Sequence, residues 1–166
     1  MSRNIMEPRQ DAFGHYERPA RGHGTPRYRD RADAGLQLAA ALSAYRGSKP
    51  LVLGIPRGGV PVAHHVAQEL EGELDVIVAR KLGMPGQEEY AFGAVASDGT
   101  QYVNAKLQAL AGVSATKLSV LAAAQRTEAE RREQLFRAGL PALQPHGRIA
   151  IVVDDGLATG ATMRVA

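Results

Sequence analysis

Three short apolar runs punctuate the chain: Leu51–Ile55, Leu74–Ala79 and Ile149–Val153. Each is too short for a buried helix and rich in β-branched or aliphatic residues, so each predicts a buried strand. Between them the spacing turns helical. Ala32–Tyr45 is rich in alanine and leucine, with Asp30 or Asp33 near its start and Gly47 just past its end, which predicts a helix. Leu36, Leu38, Leu42 and Tyr45 give it an apolar side, expected to pack on a sheet. Val60–Leu70 predicts a second helix, ending before the polar Glu71-Gly72-Glu73. Ser114 is placed to cap a long helix, Ala115–Ala138, closed by Gly139 and Pro141. The pairs Arg126–Glu130, Glu128–Arg132 and Glu133–Arg137, each four residues apart, mark its second half as exposed. Ala91–Asn104, centred on Ser97-Asp98-Gly99-Thr100, predicts a hairpin, and the Gly-Met-Pro-Gly run between Lys81 and Ala91 a loop.

Strands separated by helix-length crossovers predict an α/β fold whose parallel core strands end on one side. Ligands of such sheets bind outside the carboxyl ends of the strands, and there the chemistry-bearing residues collect. Ile149–Thr162 reads IAIVVDDGLATGAT. The strand delivers Asp154 and Asp155, and a small-residue loop from Gly156 to Gly160 follows, with hydroxyls at Thr159 and Thr162. Thr159-Gly160-Ala161-Thr162 would open a helix whose first amides point at an anion. Two carboxylates for vicinal hydroxyls beside a phosphate cradle describe a pocket for a ribose 5-phosphate. A receiver domain shares the acid pair but lacks the Thr-Gly-Ala-Thr loop. A Walker B strand requires a GxxxxGK[ST] loop elsewhere, which the chain lacks. An ordinary strand, turn and helix cap has no need of paired acids before such a loop.

Leu51–Ala63, LVLGIPRGGVPVA, repeats the arrangement in another form. Two glycines after Arg57 let backbone amides approach an anion closely, and the guanidinium can grip it bidentately. A plain strand-to-helix turn remains the other reading. Arg80 and Lys81 are expected where the run Leu74–Ala79 ends, facing the same crevice or else solvated in a loop.

Ile149–Thr162 resembles, over all of its 14 positions, the PRPP-binding motif of type I phosphoribosyltransferases. Arg57-Gly58-Gly59 resembles the pyrophosphate loop of that family, and ARKLGMPGQEEYAFGA resembles one branch of it, whose members are known by family alone. The resemblance implies a phosphoribosyltransferase-like parallel sheet flanked by helices, with an N-terminal helix and a helical insertion. It implies transfer of a phosphoribosyl group from PRPP to a nitrogenous acceptor with release of pyrophosphate, a glycosyltransferase reaction of nucleotide metabolism. Asp154 and Asp155 would hold the ribose hydroxyls and favour positive charge on the ring, and Arg57 would take charge on the leaving group. Ala158, Thr159, Gly160, Ala161 and Thr162 would bind the 5-phosphate. Arg57, Gly58, Gly59, Arg80 and Lys81 would bind pyrophosphate. Mg²⁺ would be held mainly through PRPP and water, with no full set of protein ligands. Unusual backbone geometry is expected at Arg57-Gly58-Gly59, a non-proline cis peptide being frequent in such loops. At least one of Asp154 and Asp155 should be free of ion pairing. The family's mobile catalytic loop would fall between Lys81 and Arg137, here unusually helical. A PRPP-sensing regulatory module, or an inactive fragment, is the competing class.

The chain has 166 residues, 45% of them apolar, enough for one domain with a core. It has no cysteine, which excludes disulfides and thiolate chemistry. No run of 18 apolar residues predicts a membrane span, no secretory signal is expected, and the cytoplasm is the compartment a PRPP-using protein implies. The net charge of +3 belongs to residues 1–31, which hold seven arginines against four acids. Residues 1–27 are expected to be a basic, disordered leader and residues 28–166 the domain. Such a tail can bind nucleic acid or anionic lipid, but an extension without that role is favoured, so neither nucleic acid nor membrane is expected as a partner. A homodimer is left open. The pattern stops soon after Thr162, so the domain is expected to be incomplete at its C-terminus, with the sheet around Ile149–Val153 partly uncovered, poor solubility and little activity.

Overall fold

The computed structural model describes residues 28–84, 87–141, 144–156 and 160–166; the expected leader lies outside them. In chain order the elements are α1 (Arg31–Ala41), β1 (Leu51–Gly54), α2 (Gly59–Leu70), β2 (Glu73–Val76), β3 (Ala79–Met84), β4 (Gln87–Ala96), β5 (Gln101–Val103), α3 (Ala105–Leu110), α4 (Ala115–Phe136), β6 (Ala150–Val153) and α5 (Ala161–Val165). The strands form two sheets: a parallel one ordered β2-β1-β6 and an antiparallel one ordered β3-β4-β5. The three apolar runs do build one parallel sheet, with carboxyl ends together. In register, Leu51 faces Glu73 and Ala150, and Gly54 faces Val76 and Val153.

Side-chain alternation divides the parallel sheet between two environments. Val52, Leu74 and Ile151 share one face and join Val62, Ala63, Val66, Ala67 and Leu70 of α2 in the main core. The next rung, Leu53, Asp75 and Val152, points the other way. Asp30 caps α1 by accepting the Asp33 amide at 2.8 Å. This helix packs chiefly on α2 rather than on the sheet. Gly35 is the reason: a Cβ there would lie 2.8 Å from both the Val62 carbonyl and the His65 Cβ. Leu38 and Leu42 join the core, while Leu36 and Tyr45 of the expected apolar side stay exposed.

The chain leaves the parallel sheet earlier than the apolar run suggests. Leu74–Ala79 is not one strand: β2 ends at Val76, and Ala79 already begins β3 in the other sheet. Ile77 and Val78 make the transfer, and both sheets demand apolar residues there, so composition does not mark the change. The expected loop after Lys81 is largely β3 and β4, paired with irregular register near Gly83. The hairpin on Asp98-Gly99 is present, its first strand longer than expected. The stretch from Lys81 to Arg137 is therefore sheet in its first part and helix in its second.

Ser114 caps α4 as expected. Leu118, Leu121 and Ala122 of α4 pack on Leu82, Phe92, Val95 and Val113, and the rest of the helix is mostly exposed. The Arg126–Glu130 and Glu128–Arg132 pairs form. Arg131 also reaches Glu128, and the two guanidiniums hold its carboxyl down at a pKa of about 2. Arg137 instead turns away from Glu133 to a bidentate pair with Asp75, at 2.9 Å for both hydrogen bonds. On the opposite face of the antiparallel sheet, Ala161 and Val165 of α5 pack on Ala94 and Ala96. Arg164 of α5 stacks 4.6 Å over the Tyr102 ring. Although short, α5 thus has a buried side of its own. Among the described residues strand β6 is an edge, paired with one neighbour; Ile149 and Ala150 are exposed and Val153 is buried. No helix among the described residues is long and apolar enough to cross a membrane.

Candidate functional site

Strands β1 and β6 run side by side and stop level, so the turns that follow them are forced together. The Ile55 amide donates to the Val153 carbonyl at 2.8 Å. Arg57, Gly58 and Gly59 follow from β1, and Asp154 and Asp155 from β6. The contact explains both glycines. A Cβ on Gly59 would lie 2.5 Å from the Val153 carbonyl oxygen and 2.9 Å from the Asp154 Cα. A Cβ on Gly58 would fall inside the Asp155 carboxylate. Neither glycine adopts a positive φ; close approach, not turn conformation, is what excludes a side chain here. The Pro56–Arg57 peptide is cis, so the expected non-proline cis bond is found at the entry to Arg57.

Gly58 is the N-cap of α2 and offers no side-chain cap; the Gly59 amide donates to the Ile55 carbonyl at 2.9 Å, and Pro61 has no amide hydrogen. Arg57 is exposed, and no ion pair engages it among the described residues. An exposed cation beside a helix start gives the turn a positive local field.

The two acids differ. Asp155 is exposed and paired with Arg31 of α1, whose Nη2 lies 2.6 Å and Nε 3.1 Å from Oδ2. Asp154 is half-buried and accepts the Asp155 amide at 2.8 Å. Burial pushes the Asp154 pKa up; the Asp155 amide opposes this, the Asp155 charge adds to it, and the Lys81 ammonium opposes it. Arg80 and Lys81 do not sit at a strand's carboxyl end. They lie at the start of β3, where alternation sends them to opposite faces. Arg80 donates to Gln125 Oε1 of α4 at 3.0 Å, whereas Lys81 acts on Asp154. The expected pair of diphosphate cations is thus split, with Lys81 on the side of the acids.

Of the expected phosphate loop, Ala158 and Thr159 lie outside the described residues. Gly160 caps α5 at φ +71°, Ala161 is buried on the antiparallel sheet, and Thr162 stands half-buried in the first turn. A cavity of about 690 Å³ opens beside the acids, lined by Tyr28, Arg31, Ala34, Val62, Asp154 and Asp155 among others.

Residues 29–166 match the family model described as the phosphoribosyl transferase domain. The chain belongs to that family. Two Mycobacterium tuberculosis proteins, one from each of two strains, bear names giving them as candidate phosphoribosyl transferases. Each is 47% identical over 137 residues, covering 82% of this chain and 31% of the relative. The crystal structure of TT1426 from Thermus thermophilus matches with a TM-score of 0.66 at 44% identity, over 84% of this chain and 66% of that one. The chain therefore spans about a third of the length of the curated relatives it matches.

Within this phosphoribosyl transferase domain, Arg31 is the site residue that the sequence pattern did not single out. It sits among the N-terminal arginines, and only its place on the first turn of α1 distinguishes it.

The raised pKa of Asp154 has a testable sign. Ionisation of a half-buried carboxylate opposes folding, so the cost is absent while the group is protonated and appears as pH rises through the folded-state pKa. Asp154→Asn is expected to raise the melting temperature at neutral pH; the gain should shrink as pH falls through the folded-state pKa and vanish below the unfolded-state value. A melting temperature lowered at neutral pH would show instead that the carboxylate supports the fold.

Proposed function

We propose that the chain is the PRPP-binding core of a phosphoribosyltransferase, which displaces pyrophosphate from C1 of PRPP by a nitrogen of an acceptor yet to be identified. The observation that carries this reading is the junction of the two motifs, with Gly59 against Val153 and Asp154 and the Asp155 carboxylate over Gly58. An anion site and a pair of acids within one contact distance suit a ligand with diphosphate and vicinal hydroxyls on adjacent atoms. Breaking the C1–O bond leaves positive charge on the sugar ring and negative charge on the departing diphosphate. No nucleophilic side chain is needed, and the protein contributes position and charge. Asp154 and Asp155 would hold the ribose 2- and 3-hydroxyls, and their charge would favour the cationic ring. Arg57 and the Gly58-Gly59 turn, whose lack of side chains lets the ligand approach the backbone, would hold the leaving group, with Lys81 nearby. Gly160, Ala161 and Thr162, with Ala158 and Thr159, would bind the 5-phosphate.

Mg²⁺ belongs to this reading. Among the described residues no cluster of three or more acidic or histidine side chains could hold a metal ion. Two carboxylates beside an anion site fit an ion that takes most of its oxygens from phosphate and water. When bound, it would neutralise charge on the diphosphate. The cytoplasm is the compartment this chemistry implies.

Calorimetric titration with PRPP and with pyrophosphate, each with Mg²⁺, tests the reading. Both should bind, and Arg57→Ala should weaken pyrophosphate at least about tenfold, the worth of a lost charge-assisted hydrogen bond. Pyrophosphate release from PRPP in the presence of nitrogenous acceptors would then identify the second substrate. Failure of the wild-type chain to bind either ligand would sink the proposal.

A further inference from the structure

We propose that Arg31 is a diphosphate-binding residue whose partner in the ligand-free chain, the Asp155 carboxylate, stands in for the substrate anion. This rests on the diphosphate reading of the Arg57–Gly59 turn. Three observations lead to it. The Asp155 carboxylate does not project freely from β6; it lies over Gly58, in the space a Cβ would take. That glycine is the N-cap residue of α2, in the turn where a diphosphate would be held. The same carboxylate is gripped through one oxygen, Oδ2, by both Nε and Nη2 of Arg31. A carboxylate is thus held by a guanidinium directly over the turn that the diphosphate would occupy.

Asp155 therefore cannot keep this position and also serve a ribose while diphosphate occupies the turn. The carboxylate must swing away from Gly58 as the anion arrives. Arg31 would otherwise be left facing a more highly charged group than the one it lost. The exchange keeps the guanidinium paired throughout and frees Asp155 for the hydroxyls. Both side chains are open enough for it, at 60% and 35% exposure. Arg31 stands in the first turn of α1 and lines the cavity beside the acids.

Inorganic pyrophosphate with Mg²⁺ is the probe, titrated into wild type, Arg31→Ala, Arg31→Lys, Asp155→Asn and the double variant Arg31→Ala/Asp155→Asn. Melting curves confirm folding of each. Arg31→Ala is expected to weaken pyrophosphate about tenfold or more, with Arg31→Lys between it and wild type. Asp155→Asn should tighten pyrophosphate, because the stand-in anion is gone, while weakening PRPP, which needs the carboxylate. That tightening should be several times smaller in the Arg31→Ala background, since simple removal of negative charge remains but competition for Arg31 does not. Equal tightening in both backgrounds would overturn the exchange, as would pyrophosphate affinity in Arg31→Ala within about twofold of wild type. If wild type binds no pyrophosphate, the diphosphate reading itself fails; if wild type binds and Arg57→Ala does not, while Arg31→Ala is unaffected, only this inference fails.

Discussion

Arg137→Ala is expected to destabilise the domain by about 3–5 kcal/mol, the usual result of breaking a buried ion pair from one side. Asp75 is 6% exposed in the middle of β2, on the face turned away from α2. Its two oxygens are satisfied by Nε and Nη2 of Arg137 at 2.9 Å each, and Nη2 also donates to the Pro141 carbonyl at 2.8 Å. Without the guanidinium, a buried carboxylate faces no compensating charge. For a domain whose total stability is about 5–15 kcal/mol, that is a large share. At roughly 2–4 °C per kcal/mol for this size, the melting temperature should fall by about 6–20 °C. Asp75→Ala should cost less, because Arg137 lies at the end of α4 and can turn toward water. Replacing both with apolar residues of similar volume, Asp75→Leu with Arg137→Met, should recover most of the loss. A loss below about 1 kcal/mol in Arg137→Ala would mean that water already reaches Asp75.

Gly59→Ala should combine a stability loss of about 1–3 kcal/mol, typical of overpacking, with loss of pyrophosphate binding. The added methyl meets backbone, the Val153 carbonyl and the Asp154 Cα, so nothing flexible can yield. Relief requires β1 and β6 to part at the level of the site. Gly58→Ala offers the contrast. The atoms nearest its methyl all belong to the Asp155 side chain, which can rotate away, so melting should change little while the Arg31–Asp155 contact is lost. Melting curves and pyrophosphate titration of the two variants separate the cases. Equal melting temperatures would show that the close approach at Gly59 is relieved by small backbone shifts.

Much of this is legible in the chain because the parallel strands are short, apolar and closed by distinctive turns. The acid pair and the Arg-Gly-Gly turn can be placed in one crevice from strand direction alone. The boundary between the two sheets cannot, since Ile77, Val78 and Ala79 are apolar on both sides of the transfer. Helix α3 escapes for another reason: six residues give too little periodicity, although Asn104 is a good cap and accepts the amides of Lys106 and Leu107. Helical spacing assigns Arg137 to Glu133, yet a buried carboxylate 62 residues away competes better than an exposed one a turn away. Arg31 is hidden by composition, as one of seven arginines in a basic stretch. The glycines read as serving an anion, and the packing shows that they equally serve the junction of β1 with β6.

The segment from Gly156 to Gly160 has its two ends fastened to different cores. Before it, Val153 is anchored among the side chains of α2; after it, Ala161 and Val165 are anchored on Ala94 and Ala96 of the antiparallel sheet. The strand that ends at Val153 and the helix that begins at Ala161 are thus held by different cores, on either side of a gap. A molecule that touched both the acids and the start of α5 would act as a brace across that gap. Occupancy would then be felt as far away as the Tyr102–Arg164 stack, with no contact made there.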